Sequence, residues 1–402
     1  MIFQSPELDD ADLAVLAYFN AQRAQLRAYA QSSPKRWMGL LRRNTFARGI
    51  LASNAIDGIQ ASMENVLAAI ENEEPAGIER DAWLATKGCR DAMVCINQAA
   101  TDPHFELSRQ FLKSLHFMVT GRDLTVNPGQ WRPGPIHIVN RATGKIVHEG
   151  PDAALVNSLM QELVDYLRSP LREPTIVRAA MAHLNLTMIH PFRSGNGRVA
   201  RALQTLVLAR EGELHPAFSG IEEWFAEAPD YFAVLAEVGH GAWRPECDAR
   251  PWLRFCLKAH CHQAAVLIRR HAEYEALDHR IEAIVRDEGL PDRAFIPLFD
   301  AALGLATTNG WYRVDTQVSE IVASRDLRRL TELDLLVPHG EKRGRSYRGS
   351  KRLLSIRKAV QKQLGTDMPF VDPYEIMPDM DLRSLYMEPP RDLSFDPRFP
   401  GF

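Results

Sequence analysis

The residues best suited to chemistry are concentrated in one segment, HPFRSGNGRVAR, which spans residues 190–201. Its glycines can adopt backbone conformations closed to bulkier residues, so consecutive N–H groups can point toward one anion at the start of a helix. Arg198 and Arg201 are three residues apart on that helix and share a face, where planar guanidinium groups suit phosphate oxygens. The segment therefore predicts a cradle for a polyphosphate.

His190 stands at the other side of this cradle, where a side chain that titrates near neutrality can take a proton from an incoming nucleophile. Phe192 is predicted to anchor the loop in the core. Helix capping or packing is the structural alternative for His190, and a solvated helix face is the alternative for the two arginines. No other common nucleotide-binding motif is present. The segment ATGKI has only the Gly-Lys pair of a phosphate-binding loop, and GxGxxG is absent.

Two helices are predicted to hold this segment. An apolar-periodic run begins at Pro174 and ends at His190, where Pro191 prevents its continuation. A second run follows Gly197 and closes at Gly212. The segment is therefore a loop between two helices.

The surrounding sequence predicts further helices and one hairpin. Helical period is present in residues 8–120, 152–168 and 221–290. In residues 136–147, apolar residues flank a polar turn at 140–144, which predicts two antiparallel strands. A helical body with a small hairpin results.

The C-terminal third has a different pattern. Residues 318–347 predict a helix, a turn, a second helix, a strand, a loop rich in glycine and arginine, and another strand, which is the order of a winged helix. Such a unit binds DNA phosphates and bases through basic side chains, or serves protein contacts and dimers instead. The candidate DNA-binding residues are Arg325, Arg328, Arg329, Arg343 and Arg345. The tail after residue 366 has no sustained period and is predicted to be extended.

Composition limits the protein class. The 402 residues are 46% hydrophobic and 25% charged with a net charge of −3, which is typical of a soluble globular protein of two or three domains and argues against a whole-molecule nucleic-acid or membrane binder. No apolar leader or run of 18 apolar residues is present, so we expect a cytoplasmic protein without membrane contact. Five cysteines without CxxC spacing favour free thiols. Helical spacing scatters one Cys/His group, which argues against zinc: Cys256, His260, Cys261 and His262.

The pattern HPF-x-x-GNGR-x-x-R resembles the signature of the Fic (Fido) family, most of whose studied members are protein adenylyltransferases. The resemblance covers roughly residues 35–265 and implies a mainly α fold, a Fic-type helical bundle with a small β-hairpin flap and a C-terminal winged-helix domain. It implies an N-terminal helical region with an inhibitory helix at 1–105, a catalytic core at 106–290, a winged helix at 295–365 and an extended tail at 366–402.

The resemblance also implies roles. His190 would deprotonate a Ser, Thr or Tyr hydroxyl of a target protein, and that hydroxyl would attack the α-phosphate of ATP. Arg198 would grip the α/β region and Arg201 the γ-phosphate. The loop residues implied to hold the phosphates are Gly195, Asn196 and Gly197. The flap residues implied to position the target by backbone pairing are Ile136, His137 and Ile138.

One position departs from the family pattern. Ser194 stands where the family usually has Asp or Glu as a ligand of Mg²⁺. Mg²⁺ usually takes one or two carboxylates together with phosphate oxygens and water, although a hydroxyl can also ligate it. The resemblance therefore implies an ATP- and Mg²⁺-dependent enzyme whose rate depends on how well Ser194 replaces the acid.

Upstream, SNAIDG at Ser53–Gly58 resembles the inhibitory motif of the family, [S/T]-x-x-x-E-[G/N]. In such proteins the acid pairs with the second arginine of the signature and excludes the γ-phosphate. By this analogy Asp57 would meet Arg201, with a side chain one methylene shorter than the usual Glu. Asp57 and Gly58 could instead simply end a helix.

Two functions follow as hypotheses. The first is a self-inhibited protein adenylyltransferase that acts on an unidentified target protein. The second is a nucleotide-binding, catalytically weakened Fic protein that acts as a DNA-binding regulator through its winged helix. In a variant of the first hypothesis, the enzyme transfers a group other than AMP. Salt-dependent duplex binding without target labelling would favour the second. A homodimer is left open by the sequence.

Overall fold

Helices make up most of the chain, as the apolar period predicts. The computed structural model describes residues 1–31, 35–73, 78–139, 144, 146–170, 172–212, 214–228, 230–341, 345–365 and 371–376. The helices of the N-terminal two thirds are α1 (Asp10–Gln31), α2 (Trp37–Ile56), α3 (Met63–Ile70), α4 (Arg80–Thr101), α5 (Arg109–Thr120), α6 (Ala153–Arg168), α7 (Thr175–Ile189), α8 (Asn196–Ala209), α9 (Glu222–Glu227), α10 (Tyr231–Gly239) and α11 (Arg250–Asp287). The remaining helices are α12 (Phe295–Ala302), α13 (Asn309–Thr316), α14 (Glu320–Glu332), α15 (Lys351–Gln363) and α16 (Pro373–Ile376). The strands are β1 (His137–Val139), β2 (Ile146–Glu149), β3 (Thr307–Thr308), β4 (Leu336–His339) and β5 (Ser346–Gly349).

Helices α7 and α8 form the centre of the molecule and carry the 190–201 segment between them. Every residue of α7 from Ile176 to Ile189 is buried, because the helix is apolar on all sides and is enclosed by other helices. Most of α8 is buried as well, including its two arginines. The loop is therefore fixed at both ends by a packed core.

Three apolar clusters surround this centre. One joins α1, α7, α10 and α11, and a second joins α4, α5, α6, α7 and α8. The third contains α2 and the C-terminal helices α12, α14 and α15, with part of α11. At 38 residues, about 57 Å long, α11 contributes to two of these clusters.

The predicted hairpin is present. Strands β1 and β2 pair antiparallel, with a bulge between Ile138 and Val139. Ile136 lies one residue before β1, and the predicted polar turn lies mostly outside the described residues. The hairpin is tied to the core because His148 hydrogen-bonds the Met188 carbonyl of α7 at 2.8 Å.

The C-terminal unit consists of α12–α15 and an antiparallel sheet in the order β3–β5–β4. The sequence predicted two helices between residue 318 and the strand that follows. This prediction was wrong about where the first of the two helices lies. A single helix, α14, lies there, and its companion α13 lies upstream. Ser319 caps α14, and no helix-ending residue interrupts the run that follows.

Part of the tail was predicted to be extended, and the prediction was wrong for residues 373–376, which form α16. Tyr374 donates a hydrogen bond to Asp12 of α1 at 2.9 Å, and its ring lies under the guanidinium of Arg254. Asp12 is fully buried. The short helix α16 is thus held by contacts with residues that are distant in sequence, which its own sequence cannot indicate.

Candidate active site

The loop between α7 and α8 turns through two residues with left-handed backbone. His190 has φ 49° and ψ 59°, and Pro191 follows it. Gly195 has φ 76°, and a Cβ there would lie 2.7 Å from Cγ2 of Thr120. The first glycine of the motif is thus required both by conformation and by the close approach of α5.

The side chain of Asn196 closes the loop. Its Oδ1 accepts a hydrogen bond from the Phe192 amide at 2.9 Å, and its Nδ2 donates to the Phe192 carbonyl at 2.9 Å. The resemblance implies that Asn196 holds phosphates; in the structure its side chain bonds the loop, and its backbone amide and one Nδ2 N–H are not used by these two bonds. A Cβ at Gly197 would lie 2.9 Å from Nη1 of Arg201, so the second glycine leaves room for that guanidinium.

Phe192, predicted as the loop anchor, is fully buried between two rings. It stacks on His116 at 3.7 Å between ring centroids and packs against Trp131 at 4.8 Å. His116 donates from Nε2 to the Ser194 carbonyl at 3.0 Å and accepts from the Gly129 amide at 2.8 Å. Burial lowers the pKa of His116 to about 4, so the ring is neutral at pH 7 and its tautomer is fixed by these two partners.

Arg132 connects the loop to the hairpin. It is 3% exposed and donates from Nε to the His190 carbonyl at 2.9 Å and from Nη1 to the Gly134 carbonyl at 2.6 Å. Its backbone amide donates to the Pro191 carbonyl at 2.8 Å. The sequence did not indicate Arg132, Trp131 or His116, because these residues are distant in sequence from the 190–201 segment. A Trp-Arg pair within a segment rich in glycine and proline was the only local signal.

The imidazole of His190 is oriented for proton acceptance. Nδ1 lies 3.1 Å from the Thr187 carbonyl, so Nδ1 carries the proton and Nε2 keeps its lone pair. Burial lowers the pKa of His190 to about 4; the hydrogen bond to Thr187 is the next influence and raises this pKa, while the nearby His148 and Arg132 lower it by smaller amounts. The ring is therefore neutral at pH 7 and available as a base.

The two arginines are buried rather than solvated. Arg198 is 5% exposed and Arg201 is 2% exposed. Arg198 donates from Nη1 to the Val119 carbonyl at 2.9 Å, and Arg201 donates from Nε to Oγ of Ser53 at 2.9 Å. Nη1 of Arg201 is buried without a hydrogen-bond partner in the described part of the chain. A buried guanidinium group with an unused donor is a strong site for an anion.

Asp57, just after the end of α2, bridges the two guanidinium groups. Its Oδ2 accepts from Nε of Arg198 at 2.8 Å, and its Oδ1 accepts from Nη2 of Arg201 at 3.0 Å. Ser53 also accepts from Nη2 of Arg201 through its carbonyl at 2.8 Å, and Gly58 follows outside the helix. Burial is the largest single influence and lowers the pKa of Arg201, but Asp57, Tyr231 and Glu222 together raise this pKa above its ordinary value. The shorter acid thus reaches Arg201 and contacts Arg198 as well.

Ser194 is exposed at the tip of the loop. The loop offers this hydroxyl and no carboxylate of its own, and the carboxylate of Asp57 is held by the two arginines. These residues fit Mg²⁺ as a site completed mainly by phosphate oxygens and water.

The hairpin presents mixed side chains beside the loop. His137 is exposed, with Nε2 3.5 Å from the Glu149 carboxylate, while Ile136 and Ile138 are half-buried. The Gly150 amide donates to the Ile136 carbonyl at 3.1 Å and closes the base of the hairpin, while His148 bonds the Met188 carbonyl near the end of α7. The hairpin can therefore present backbone groups next to His190.

Comparison with known proteins identifies the loop. Residues 106–208 match the model of the Fic/DOC family. Residues 106–208 therefore resemble a Fic domain. The chain is 25% identical over 221 residues to the protein adenylyltransferase Fic of Nematostella vectensis, covering 53% of this chain and 46% of the relative. It is 27% identical over 228 residues to the protein adenylyltransferase fic-1 of Caenorhabditis elegans, covering 54% and 40%.

The chain thus spans less than half the length of these relatives. The solved structures cover a larger share of this chain. A Fic family protein from Desulfovibrio desulfuricans G20 superposes with a TM-score of 0.56 at 21% identity, covering 87% of this chain and 99% of that one. Fic-1 of C. elegans, residues 134–508, superposes with a TM-score of 0.51 at 23% identity, covering 64% and 72%. These structures establish the Fic-type helical fold with its small hairpin.

The other predicted positions lie outside the Fic domain. On α14, Arg325, Arg328 and Arg329 are exposed, and Arg345 is exposed before β5. Arg343 lies outside the described residues. No helix in the described ranges is long and apolar enough to cross a membrane. The five cysteines are free, and the group at 256–262 is spread around α11.

Proposed function

We propose that this chain transfers AMP from ATP to a Ser, Thr or Tyr hydroxyl of a target protein. The observation that carries the proposal is the arrangement in the Fic domain, where the neutral His190 stands beside two buried guanidinium groups at the start of α8. Relatives named protein adenylyltransferases support the same reaction.

The chemistry divides among the residues of the loop. The target hydroxyl oxygen forms a bond to the α-phosphorus of ATP, the bond from that phosphorus to the β-phosphate oxygen breaks, and pyrophosphate leaves with the electron pair. Nε2 of His190 takes the hydroxyl proton. Arg198, Arg201 and the backbone amides of residues 195–197 neutralise and orient the phosphates, which is where most of the rate gain in such reactions arises. Mg²⁺, when bound beside Ser194, would supply further charge neutralisation.

The target would lie along the hairpin. Edge strands recognise extended peptides through main-chain hydrogen bonds, so Ile136, His137 and Ile138 would align a segment of the target beside His190. Arg132 supports this role, since it bonds both the hairpin and the loop. Five free cysteines fit a reducing compartment such as the cytoplasm.

The contact of Asp57 with both arginines supports self-inhibition. A carboxylate and the phosphates of ATP compete for the same guanidinium donors, so ATP cannot use Arg198 and Arg201 while Asp57 holds them. The inhibited state would be left when the end of α2 moves away. Reduced basal activity is thus expected of the full chain.

The experiment that tests the transfer uses ATP labelled at the α- or the γ-phosphate. The full chain is incubated with Mg²⁺ and each label, alongside Asp57→Gly and the double variant Asp57→Gly/His190→Ala. Transfer of AMP predicts protein-bound α-label and no γ-label in Asp57→Gly, with loss of the label in the double variant. Protein-bound γ-label, or no label in any folded variant, would contradict the proposal.

A second candidate function, DNA regulation, is favoured by the exposed face of α14. We propose that the C-terminal unit is a winged helix whose recognition helix is α14. Three exposed arginines recur at helical spacing on this face beside Ile321 and Ser324: Arg325, Arg328 and Arg329. The two exposed acids, Glu320 and Glu332, lie at the ends of the helix. Binding to duplex DNA that weakens steeply with salt, and that is lost in Arg325→Glu/Arg328→Glu, would support it. A change in sedimentation without DNA binding would instead assign this face to a second copy of the chain.

A further inference from the structure

We infer that the C-terminal unit holds the inhibitory contact in place: α12 and α13 fix α2 in the position that puts Asp57 on Arg198 and Arg201, so that loosening this grip frees the nucleotide site. The inference deepens the proposed function and rests on it, because it names what regulates the same site.

Helix α2 contacts different parts of the molecule at its two ends. At its C-terminal end, Ser53 and Asp57 bind the arginines of α8. At its N-terminal end Arg36 lies over the ring of Phe295, and in its middle Arg43 pairs with Asp300, both on α12. The helix is continuous over 20 residues, about 30 Å. A continuous helix moves as one body, so the two sets of contacts are mechanically linked.

Arg43 makes the strongest link. Its Nη2 donates to both carboxylate oxygens of Asp300 on α12 at 2.7 Å, and its guanidinium lies 5.1 Å from the ring centre of Trp311 on α13. Asp300 is 3% exposed, so the pair is screened from water. Trp311 also donates to Glu71, which follows α3. Breaking one partner of such a pair leaves a buried charge, so the contact strongly favours one position of α2.

Apolar packing continues the link along the same face. Trp37 and Ile50 of α2 are fully buried in one cluster with Phe295 and Phe299 of α12. The guanidinium of Arg36 lies 3.4 Å from the ring centre of Phe295. The direct contacts with α12 and α13 are thus those of Arg36 and Arg43, while the apolar packing reaches α12 through Tyr274 of α11, whose ring touches both Trp37 and Phe299.

The nucleotide site is sensitive to small shifts of α2. The bonds from Asp57 to the arginines measure 2.8 and 3.0 Å, and a hydrogen bond is lost beyond about 3.5 Å. A displacement of less than 1 Å at the end of α2 would therefore weaken both bonds. This is the step by which a change in the C-terminal unit reaches the Fic domain.

The test measures the dissociation constant of ATP with Mg²⁺ by calorimetry on the full chain. Arg43→Ala, and Asp300→Asn as a milder variant that keeps the shape of the side chain, are expected to bind ATP about 5- to 30-fold more tightly. Arg352→Ala is the matched control. Arg352 donates to the Leu333 carbonyl at the end of α14 at 2.9 Å and to Glu288 at the end of α11 at 2.8 Å, and so attaches α15 to helices other than α12 and α13. We expect it to leave ATP affinity within about twofold of the parent.

Combination with Asp57→Gly separates this inference from the proposed function. In the Asp57→Gly background, Asp300→Asn is expected to add nothing, because the contact it would release is already gone. If Asp57→Gly tightens ATP binding but the Arg43 and Asp300 variants do not, the link is wrong and the inhibitory contact stands. Equal tightening by Arg352→Ala would also overturn the link. No tightening by Asp57→Gly would overturn the inhibitory contact itself.

Discussion

Oδ1 of Asp57 lies 3.0 Å from Nη2 of Arg201, although the two residues are 144 positions apart in the chain. The end of α2 lies against the start of α8, so a carboxylate one methylene shorter than Glu can still reach the buried guanidinium. Its second oxygen bonds Arg198 at 2.8 Å. One acid thus neutralises both cations that would otherwise face the phosphates.

Replacing Asp57 should strengthen nucleotide binding and weaken the empty protein. Asp57→Asn removes the charge but keeps the shape, and we expect about tenfold tighter binding of ATP because the phosphates no longer compete with a carboxylate. Without ATP the free energy of unfolding should fall by about 3 kcal/mol, since two guanidinium groups stay buried without a counter-charge. Calorimetry and urea unfolding measure the two effects. Asp91→Asn, an exposed acid on α4, is the control; unchanged ATP affinity in Asp57→Asn would refute this account.

His190 should be needed for transfer but not for ATP binding. We expect His190→Asn to lower the rate of α-label transfer by about 10²- to 10⁴-fold, because the general base is lost while Asn tolerates the left-handed backbone. His240→Asn is a close control, since His240 also ends a helix with φ 46° and its side chain is exposed. Equal loss of rate in both variants would point to backbone strain rather than proton transfer.

Ser194→Asp should lower the Mg²⁺ concentration that gives half-maximal transfer. A carboxylate adds one negative charge to the loop, and Mg²⁺ prefers such a ligand to a hydroxyl. Initial rates at increasing Mg²⁺, in the Asp57→Gly background, measure the change. Ser158→Asp places the same charge on the exposed face of α6 and should have no effect. Identical Mg²⁺ curves for Ser194→Asp and its parent would show that the loop position does not contact the ion.

The protein should lose stability as the pH falls from about 6.5 toward 4. Burial lowers the pKa of His116 and His190 to about 4, and of His183 and His260 to about 3. The unfolded chain binds these protons below pH 6.5 and the folded chain does not, so each histidine contributes up to about 1.4 kcal/mol of lost stability per pH unit in that window.

Urea unfolding at pH 7, 5.5 and 4.5 measures this slope. His260→Gln can still accept the hydrogen bond from Nε2 of Gln204 but cannot titrate, so its slope should be shallower than that of the parent. His104→Gln, at an exposed position, should match the parent. A stability that is flat from pH 7 to 4.5 would mean that these histidines are not kept neutral by the fold.

The sequence predicts the loop well because its chemistry is local. The residues from His190 to Arg201 are contiguous, and Pro191 and Gly195 determine where one helix ends and the next begins. The family resemblance adds Asp57 to the predicted site, because this residue lies in a second short motif. The helices and the hairpin follow from the apolar period, the Fic-type arrangement is what the resemblance implies, and the fold is confirmed.

Contacts between distant segments could not be predicted in the same way. His116 and Arg132 support the loop through single hydrogen bonds to backbone carbonyls, which leave no pattern in a sequence. The bonds of the Asn196 side chain within its own loop could not be predicted, because an amide serves equally for a ligand or for its own loop. The helix at 373–376 depends on Asp12, at the other end of the chain.

The long helix α11 limits how the two halves of the protein can move. It contributes to the core around α7 and, farther along, to the core around α12, without interruption over 38 residues. A hinge needs a flexible joint, and here the joint would fall within a rigid rod, so a swing of the C-terminal unit would have to bend that rod. The accessible motion is a slide of packed helices by about 1–2 Å. A slide of that size is too small to open a cleft, but it is enough to part a carboxylate from two guanidinium groups.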